Sequence, residues 1–274
     1  MTHYKGHLNF SRDEYRDAFL AQGADKTHAA VSDKIGIDFE RTPHVIVAGS
    51  TGYGKSVLLH TIVLSLCYGN SPDTVQFIFC DPKMVELNRY RTLPHAYTAP
   101  ATDLPSCMQS LRMAESLMMK RYRKLKSTGG NRWKGTEIYV VIDEVAQLIM
   151  QDKSTVRLLQ SLTSLGRAAG IHALAATQYP TRSVLSGAVM VNFDGRICLH
   201  LDDPIAYRTV LGHKAPFEPS VPGEFIYKSG AMIYRGQAVY TDETDYQTFL
   251  NGIRINGRSY DGKRYSGLLR VACL

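Results

Sequence analysis

The run Gly49-Ser50-Thr51-Gly52-Tyr53-Gly54-Lys55-Ser56 satisfies every fixed position of the pattern G-x-x-x-x-G-K-[ST]. Glycines at these positions let the backbone turn tightly, so successive N–H groups converge on an anion. In that geometry Lys55 reaches the β and γ phosphates of a nucleotide and the Ser56 hydroxyl ligates Mg²⁺. ATP and Mg²⁺ are therefore the expected cofactors, held by Gly49, Ser50, Thr51, Gly52, Tyr53, Gly54, Lys55, Ser56 and Val57. Tyr53 is bulky where a small residue would suffice, and nothing in the sequence accounts for it.

Nucleotide hydrolysis needs more than a phosphate cradle. A carboxylate must hold the metal and a base must activate water. The apolar run Ile138–Ile142 is followed at once by Asp143 and Glu144. A buried strand delivers its last residues to the sheet edge where ligands of open α/β folds sit. Asp143 is then the outer partner of Mg²⁺, and Glu144 polarises the attacking water. A Glu directly after the Asp favours an ATPase over a small-molecule kinase. It also favours the class with a strand added between the glycine-loop strand and the Asp strand, whose tip carries a polar sensor of the γ-phosphate. The run Ile171–Thr177 fits that strand, and Gln178 stands at its tip.

These groups need a frame. His44–Ala48 reads as a buried strand before the glycine loop and Val57–Tyr68 as an apolar helix after it, which places phosphate on a helix N-terminus. Val75–Cys80 and Arg196–Leu201 read as further strands. Leu104, Met108, Leu111, Met118, Tyr122 and Leu125 recur at helical spacing, predicting a helix over about 103–126 that ends at Gly129-Gly130. A second helix runs through Val156, Leu159, Leu162, Leu165 and Ala169. Short, near-continuously apolar strands alternating with helices predict an α/β fold, a mostly parallel sheet covered on both faces. Residues 223–236 read as a β-hairpin. Residues 1–40 form an N-terminal extension with a short helix over about 11–22, residues 41–250 the core, and residues 251–274 a basic tail.

The bulk properties narrow the class. The 274 residues are 44% hydrophobic and 21% charged, an ordinary globular composition. No apolar run approaches the roughly 18 residues of a membrane span, and the N-terminus does not read as a signal peptide. A cytoplasmic location is expected, so any membrane or capsid connection would run through a partner. The five cysteines are odd in number and scattered, as expected of reduced core thiols, and no Cys/His spacing suggests zinc. The net charge of +7 is compatible with a polyanionic partner without requiring one.

Four segments, Pro43–Ser56, Phe77–Leu87, Val141–Leu148 and Arg167–His172 followed by Ala176-Thr177-Gln178, resemble in their order the motor domain of the FtsK/SpoIIIE DNA translocases. The resemblance covers about residues 42–236, and its Asp81-Pro82-Lys83 and Arg167-Ala168-Ala169-Gly170-Ile171-His172 runs are family-specific. It implies a RecA-like core, a homo-oligomeric ring that is hexameric, ATP bound between subunits, and double-stranded DNA in the pore. Arg167 falls on the family's arginine finger, which reaches the neighbouring subunit's γ-phosphate. Read without the family, it is a helix-end arginine beside Gly170 that suits the helix dipole. The chain departs from the family pattern in two places. Tyr179 replaces the Arg usual after the sensor Gln, with Arg182 three residues on, and Pro204 stands where a second trans-acting lysine is common. With neither a membrane-spanning N-terminus nor a C-terminal winged-helix module evident, the resemblance is to stand-alone motors of phages and mobile elements.

Two loops could meet DNA through basic side chains and hydroxyls. One holds Arg132, Trp133 and Lys134, with the chain's only Trp; the other holds Thr181 and Arg182. Trp133 fits a packing role at a subunit interface as well as a base or sugar contact. Lys120, Arg121, Arg123, Lys124 and Lys126 read as a solvated helix end. Related readings keep the ATPase and change the cargo, to relaxase-bound DNA at a conjugation channel or to a secreted protein. A DNA-binding scaffold that does not translocate is disfavoured by the intact Asp143-Glu144 pair.

Overall fold

The computed structural model describes residues 37–238, together with 34–35, 243, 247, 250 and 271–272. The helix expected near 11–22 and most of the extension and tail lie outside the described residues. The core alternates strand and helix: β1 (His44–Ala48), α1 (Lys55–Gly69), β2 (Val75–Cys80), α2 (Leu104–Thr128), β3 (Glu137–Ile142), α3 (Val145–Gln151), α4 (Ser154–Ala169), β4 (Ile171–Thr177), α5 (Gly187–Met190), β5 (Gly195–Cys198), α6 (Pro204–Leu211), β6 (Glu224–Ser229) and β7 (Met232–Gln237). A 3₁₀ turn spans Leu87–Thr92. Separately, Lys34–Ile35 pairs antiparallel with Val271–Ala272.

The seven strands form one sheet in the order β2-β3-β4-β1-β5-β6-β7. The first five are parallel, and the hairpin β6–β7 continues the sheet antiparallel beyond β5. The strand predicted to carry the sensor therefore lies between the glycine-loop strand and the Asp strand. Register aligns the parallel C-terminal ends: Ala48 faces both Thr177 and Cys198, and Cys80 faces Ile142. The loops that follow, starting at Gly49, Asp81, Asp143 and Gln178, share one edge.

Apolar runs make both faces of these strands suitable for burial. One face packs β-strand residues Ile46, Ile78, Val140 and Ala173 against α2, α3, α4 and α6. The other packs Val47, Phe77, Val141 and Leu174 against α1 and the 3₁₀ turn. Cys67, Cys80, Cys107 and Cys198 are buried free thiols, as the sequence predicted. Helix α2 starts with a capping box, in which Asp103 accepts from the Ser106 N–H at 2.8 Å and the Ser106 hydroxyl accepts from Asp103 N–H at 3.2 Å. It ends on Gly129, at φ 68°.

Several local expectations need correction. The strand expected over 196–201 leaves regular pairing after Cys198 because its next residues turn to meet the glycine loop: Ser50 N–H donates to His200 O at 2.8 Å. Helices α3 and α6 were not anticipated. The latter starts at Pro204 in the first turn, with Asp203 accepting from Ile205 N–H at 2.7 Å. Arg121 is not part of a solvated helix end. It is 5% exposed, and both terminal nitrogens of its guanidinium donate to backbone carbonyls.

Candidate functional site

Gly52 and Gly54 sit at φ 87° and 90°, in the left-handed region that a side chain rarely adopts. A Cβ on Gly54 would also stand 3.3 Å from Gly223 N. The glycine loop so formed runs directly into α1, whose first residue is Lys55. Free N–H groups and the positive end of a helix dipole thus face the same space.

Charged groups converge there from three strands. Lys55 is buried, and its Nζ donates to the Asp143 carboxylate at 3.1 Å and to Asp143 O at 3.0 Å. Burial raises the pKa of Asp143 above the usual carboxylate value; Lys55 offsets part of this, and the nearby Asp81 and Glu86 carboxylates add to it. Glu144, 1% exposed, accepts from the Thr177 hydroxyl at 2.7 Å, from Gln178 N–H at 3.1 Å, and from Lys83 Nζ at 3.3 Å. Gln178 in turn accepts from the Thr51 hydroxyl at 3.2 Å, joining sensor strand to glycine loop. Lys55, Asp143, Glu144, Gln178 and the loop are brought together as the sequence predicted.

Several participants were missed. Lys83 belongs to a run quoted only for its resemblance, yet Asp81-Pro82-Lys83 ends a strand at this same edge. Buried Asp81 shapes that turn, accepting from the N–H groups of Glu86 and Leu87 at 2.9 and 2.8 Å. The hydrogen bond with His60 is the main cause drawing Glu86 down to about 2; burial opposes it and the Ser56 hydroxyl assists. Tyr53 has its account in His200: the rings stack at 4.1 Å between centroids and 27° between planes. Asp202 ties the same region to the loop by accepting from the Ser50 hydroxyl at 2.6 Å.

Other predicted residues lie elsewhere. Arg167 is exposed at the end of α4, at the N-terminal edge of the sheet, where it lies close enough to buried His44 to disfavour protonation of that imidazole. Arg132 is also at that edge, paired with Glu40 at 3.6 Å and Glu137 at 3.8 Å, with exposed Lys134 beside it. Thr181 and Arg182 are exposed on the glycine-loop edge. The two basic loops are thus on opposite edges. Tyr179 is 57% exposed.

These residues fit a nucleoside triphosphate with a divalent cation. The glycines leave room for phosphate against the backbone, Lys55 offers an ammonium, and Ser56 and Asp143 offer the oxygen donors Mg²⁺ prefers. With the Gln178 strand standing between the glycine-loop strand and the Asp143-Glu144 strand, fold and site together define a P-loop ATPase core of the additional-strand class. Solved structures share that fold. The pCW3 conjugation coupling protein TcpA with ATPγS superposes with TM-score 0.64 at 24% identity, over 83% of this chain and 73% of that one. EssC ATPases 2 and 3 from Geobacillus thermodenitrificans give 0.69 at 16% identity, over 85% and 51%.

Residues 25–136 match the FtsK/SpoIIIE family model. The DNA translocase FtsK of Mesorhizobium japonicum is 31% identical over 93% of this chain and 34% of its own length; that of Leptospira interrogans is 33% identical over 92% and 28%. The chain belongs to the FtsK/SpoIIIE family. It spans about a third of the length of the curated relatives it matches. No helix among the described residues is long and apolar enough to cross a membrane.

Proposed function

We propose that this chain is the motor of an ATP-driven double-stranded DNA translocase, working in the cytoplasm as a homohexameric ring with ATP at each subunit interface. One observation carries this reading: Arg167 and the Lys55–Glu144 site lie at opposite edges of the sheet. Five residues of β1 separate those edges, about 16 Å at strand rise. A chain cannot bring its own Arg167 to its own glycine loop, whereas a neighbour's can reach it.

The roles follow from position. Loop N–H groups and the α1 N-terminus bind phosphate, and Lys55 leaves Asp143 to pair with it. Ser56 and Asp143 would hold Mg²⁺. Bound ATP with Mg²⁺ supplies the phosphoanhydride to be cleaved and the charge neutralisation its cleavage needs. Glu144, held in place by Thr177, Gln178 and Lys83, takes the proton of the attacking water. Arg167 of the next subunit meets the negative charge that develops on the γ-phosphoryl group. Gln178, hydrogen-bonded to Thr51, links the state of the loop to the exposed segment that carries Thr181 and Arg182. That segment, with Arg132 and Lys134, is where phosphate contacts to DNA are sought. DNA as cargo is supported by the relatives named above.

ATP turnover measured with and without double-stranded DNA, alongside particle mass with ATP, tests the reading. DNA-stimulated turnover by a ring-sized particle is expected. Turnover by a monomer, indifferent to DNA, would contradict it.

A further inference from the structure

An α-helix leaves its last carbonyls without partners inside the helix. At the end of α4, the turn that carries Arg167, Gly170 N–H caps the Gly166 and Arg167 carbonyls, and the segment from α2 to β3 bonds those of Ala168 and Ala169 and, one turn back, Leu165. The Tyr122 hydroxyl donates to Leu165 O at 2.8 Å. Trp133 N–H donates to Ala168 O at 2.8 Å. Arg121 Nη1 donates to Ala169 O at 2.8 Å and to Gly170 O at 2.9 Å, and its Nη2 donates to Thr136 O at 2.7 Å. The Trp133 ring covers the Arg121 guanidinium, 4.7 Å from Cζ to the ring centroid. Gly170 closes the turn at φ 64°, and a Cβ there would stand 3.1 Å from Trp133 Cδ1 and 3.4 Å from Arg121 Nη1.

Arg121 is costly to bury. Burial lowers its pKa to about 10, which leaves it charged at neutral pH. It falls on the apolar stripe of α2, between Met118 and Leu125, where a Leu or Met would pack without desolvating a charge. What an apolar residue would not do is fix the α4 terminus to two other segments at once.

We propose that Arg121, with Tyr122 and Trp133, is a positioning device for Arg167. The clamp holds the last turn of α4 so that the exposed Arg167 guanidinium meets the neighbouring subunit's phosphates in one geometry. This rests on the reading of Arg167 as a trans-acting finger. The chain's only Trp then serves the finger from within its own subunit.

The test is DNA-stimulated ATP turnover by Arg121→Met, Arg121→Lys and Tyr122→Phe, with Arg167→Ala as control. Each is assayed alone and mixed with Lys55→Ala subunits, which keep finger and clamp but lack a working site. A displaced reacting group costs up to about a hundredfold in rate, so Arg121→Met is expected to lose about tenfold or more in kcat with KM for ATP unchanged. Arg121→Lys should lose less, and Tyr122→Phe least. All should regain turnover in the mixture, since their own sites are intact and receive a well-held finger from the neighbour. Wild-type kcat in folded Arg121→Met, or a loss not regained while Arg167→Ala is regained, would overturn the proposal. If Arg121→Met does not fold, Tyr122→Phe decides by the same criteria. Wild-type turnover by Arg167→Ala, or its failure to be rescued, would remove the finger reading itself and the clamp with it.

Discussion

At the C-terminal edge of the sheet, buried charges meet side-chain counter-charges as well as main-chain groups: Lys55 pairs with the Asp143 carboxylate at 3.1 Å and also donates to Asp143 O, and Glu144 pairs with Lys83 at 3.3 Å and also accepts from Gln178 N–H. At the N-terminal edge, Arg121 is partnered by carbonyls of the main chain at 2.7 to 2.9 Å. Lys55 and Lys83 can turn from these carboxylates to an arriving phosphate without moving the fold. The carbonyls that hold Arg121 cannot be given up without undoing a helix end. The lysines beside the glycine loop are free to re-pair and the end of α4 is held still, which is what the proposed site and the proposed finger require.

The comparison breaks most sharply at Arg167. Arg167→Ala should lower turnover by about 10³ or more, as removal of such fingers does elsewhere, while nucleotide affinity measured by titration stays within a few-fold. Glu144→Gln should cost about 10² to 10⁴ in turnover, the range of a lost general base, also with binding retained. A chemical-quench measurement of bound ATP separates it from a binding defect. If both variants instead lost affinity in proportion to rate, the division between the two edges would be wrong.

His44 sharpens the picture of the rigid edge. It is 1% exposed, its Nδ1 accepts from Ala173 N–H at 3.1 Å, and burial, helped by His172 and Arg167, lowers its pKa to about 3. The unfolded chain takes up this proton near 6.5 and the folded chain only near 3. The unfolded state therefore binds more protons between those values, and stability falls as pH falls through the window. Urea melts from pH 7 to pH 4 should show a steeper loss for the wild type than for His44→Asn, whose Oδ1 can take the place of Nδ1. Equal slopes would remove His44 from the frame.

The smallest effect is expected at Tyr53. Its stack on His200 is worth about 1 kcal/mol as an aromatic pair, so Tyr53→Ala should weaken ATP binding about fivefold, read by titration. Tyr53→Phe should restore it. An Ala variant with unchanged affinity would leave the stack a packing detail.

What was legible in the sequence was what is local. The glycine loop and Asp143-Glu144 announce themselves by residue type at fixed spacing, and the Glu directly after Asp143, which favours the additional-strand class, was enough to place β4 between β1 and β3. Partners brought from far along the chain were not legible. Tyr53 makes sense only once His200 stands beside it, and Glu144 is held by Lys83, sixty-one residues away. Arg121 left a signal that was there to be read: a charge on the apolar stripe of α2 is out of place on a solvated face. Helices α3 and α6 were too short, at 7 and 8 residues, for periodicity to register.

The claim that half of each site belongs to the next subunit is tested most directly by mixing two inactive proteins. Arg167→Ala subunits carry an intact glycine loop, and Lys55→Ala subunits carry an intact finger. Combined in varying ratio, they should turn over ATP well above the sum of the two alone, with a maximum at intermediate mixing. Turnover that stays at that sum across all ratios, in particles shown to contain both subunits, would contradict the account.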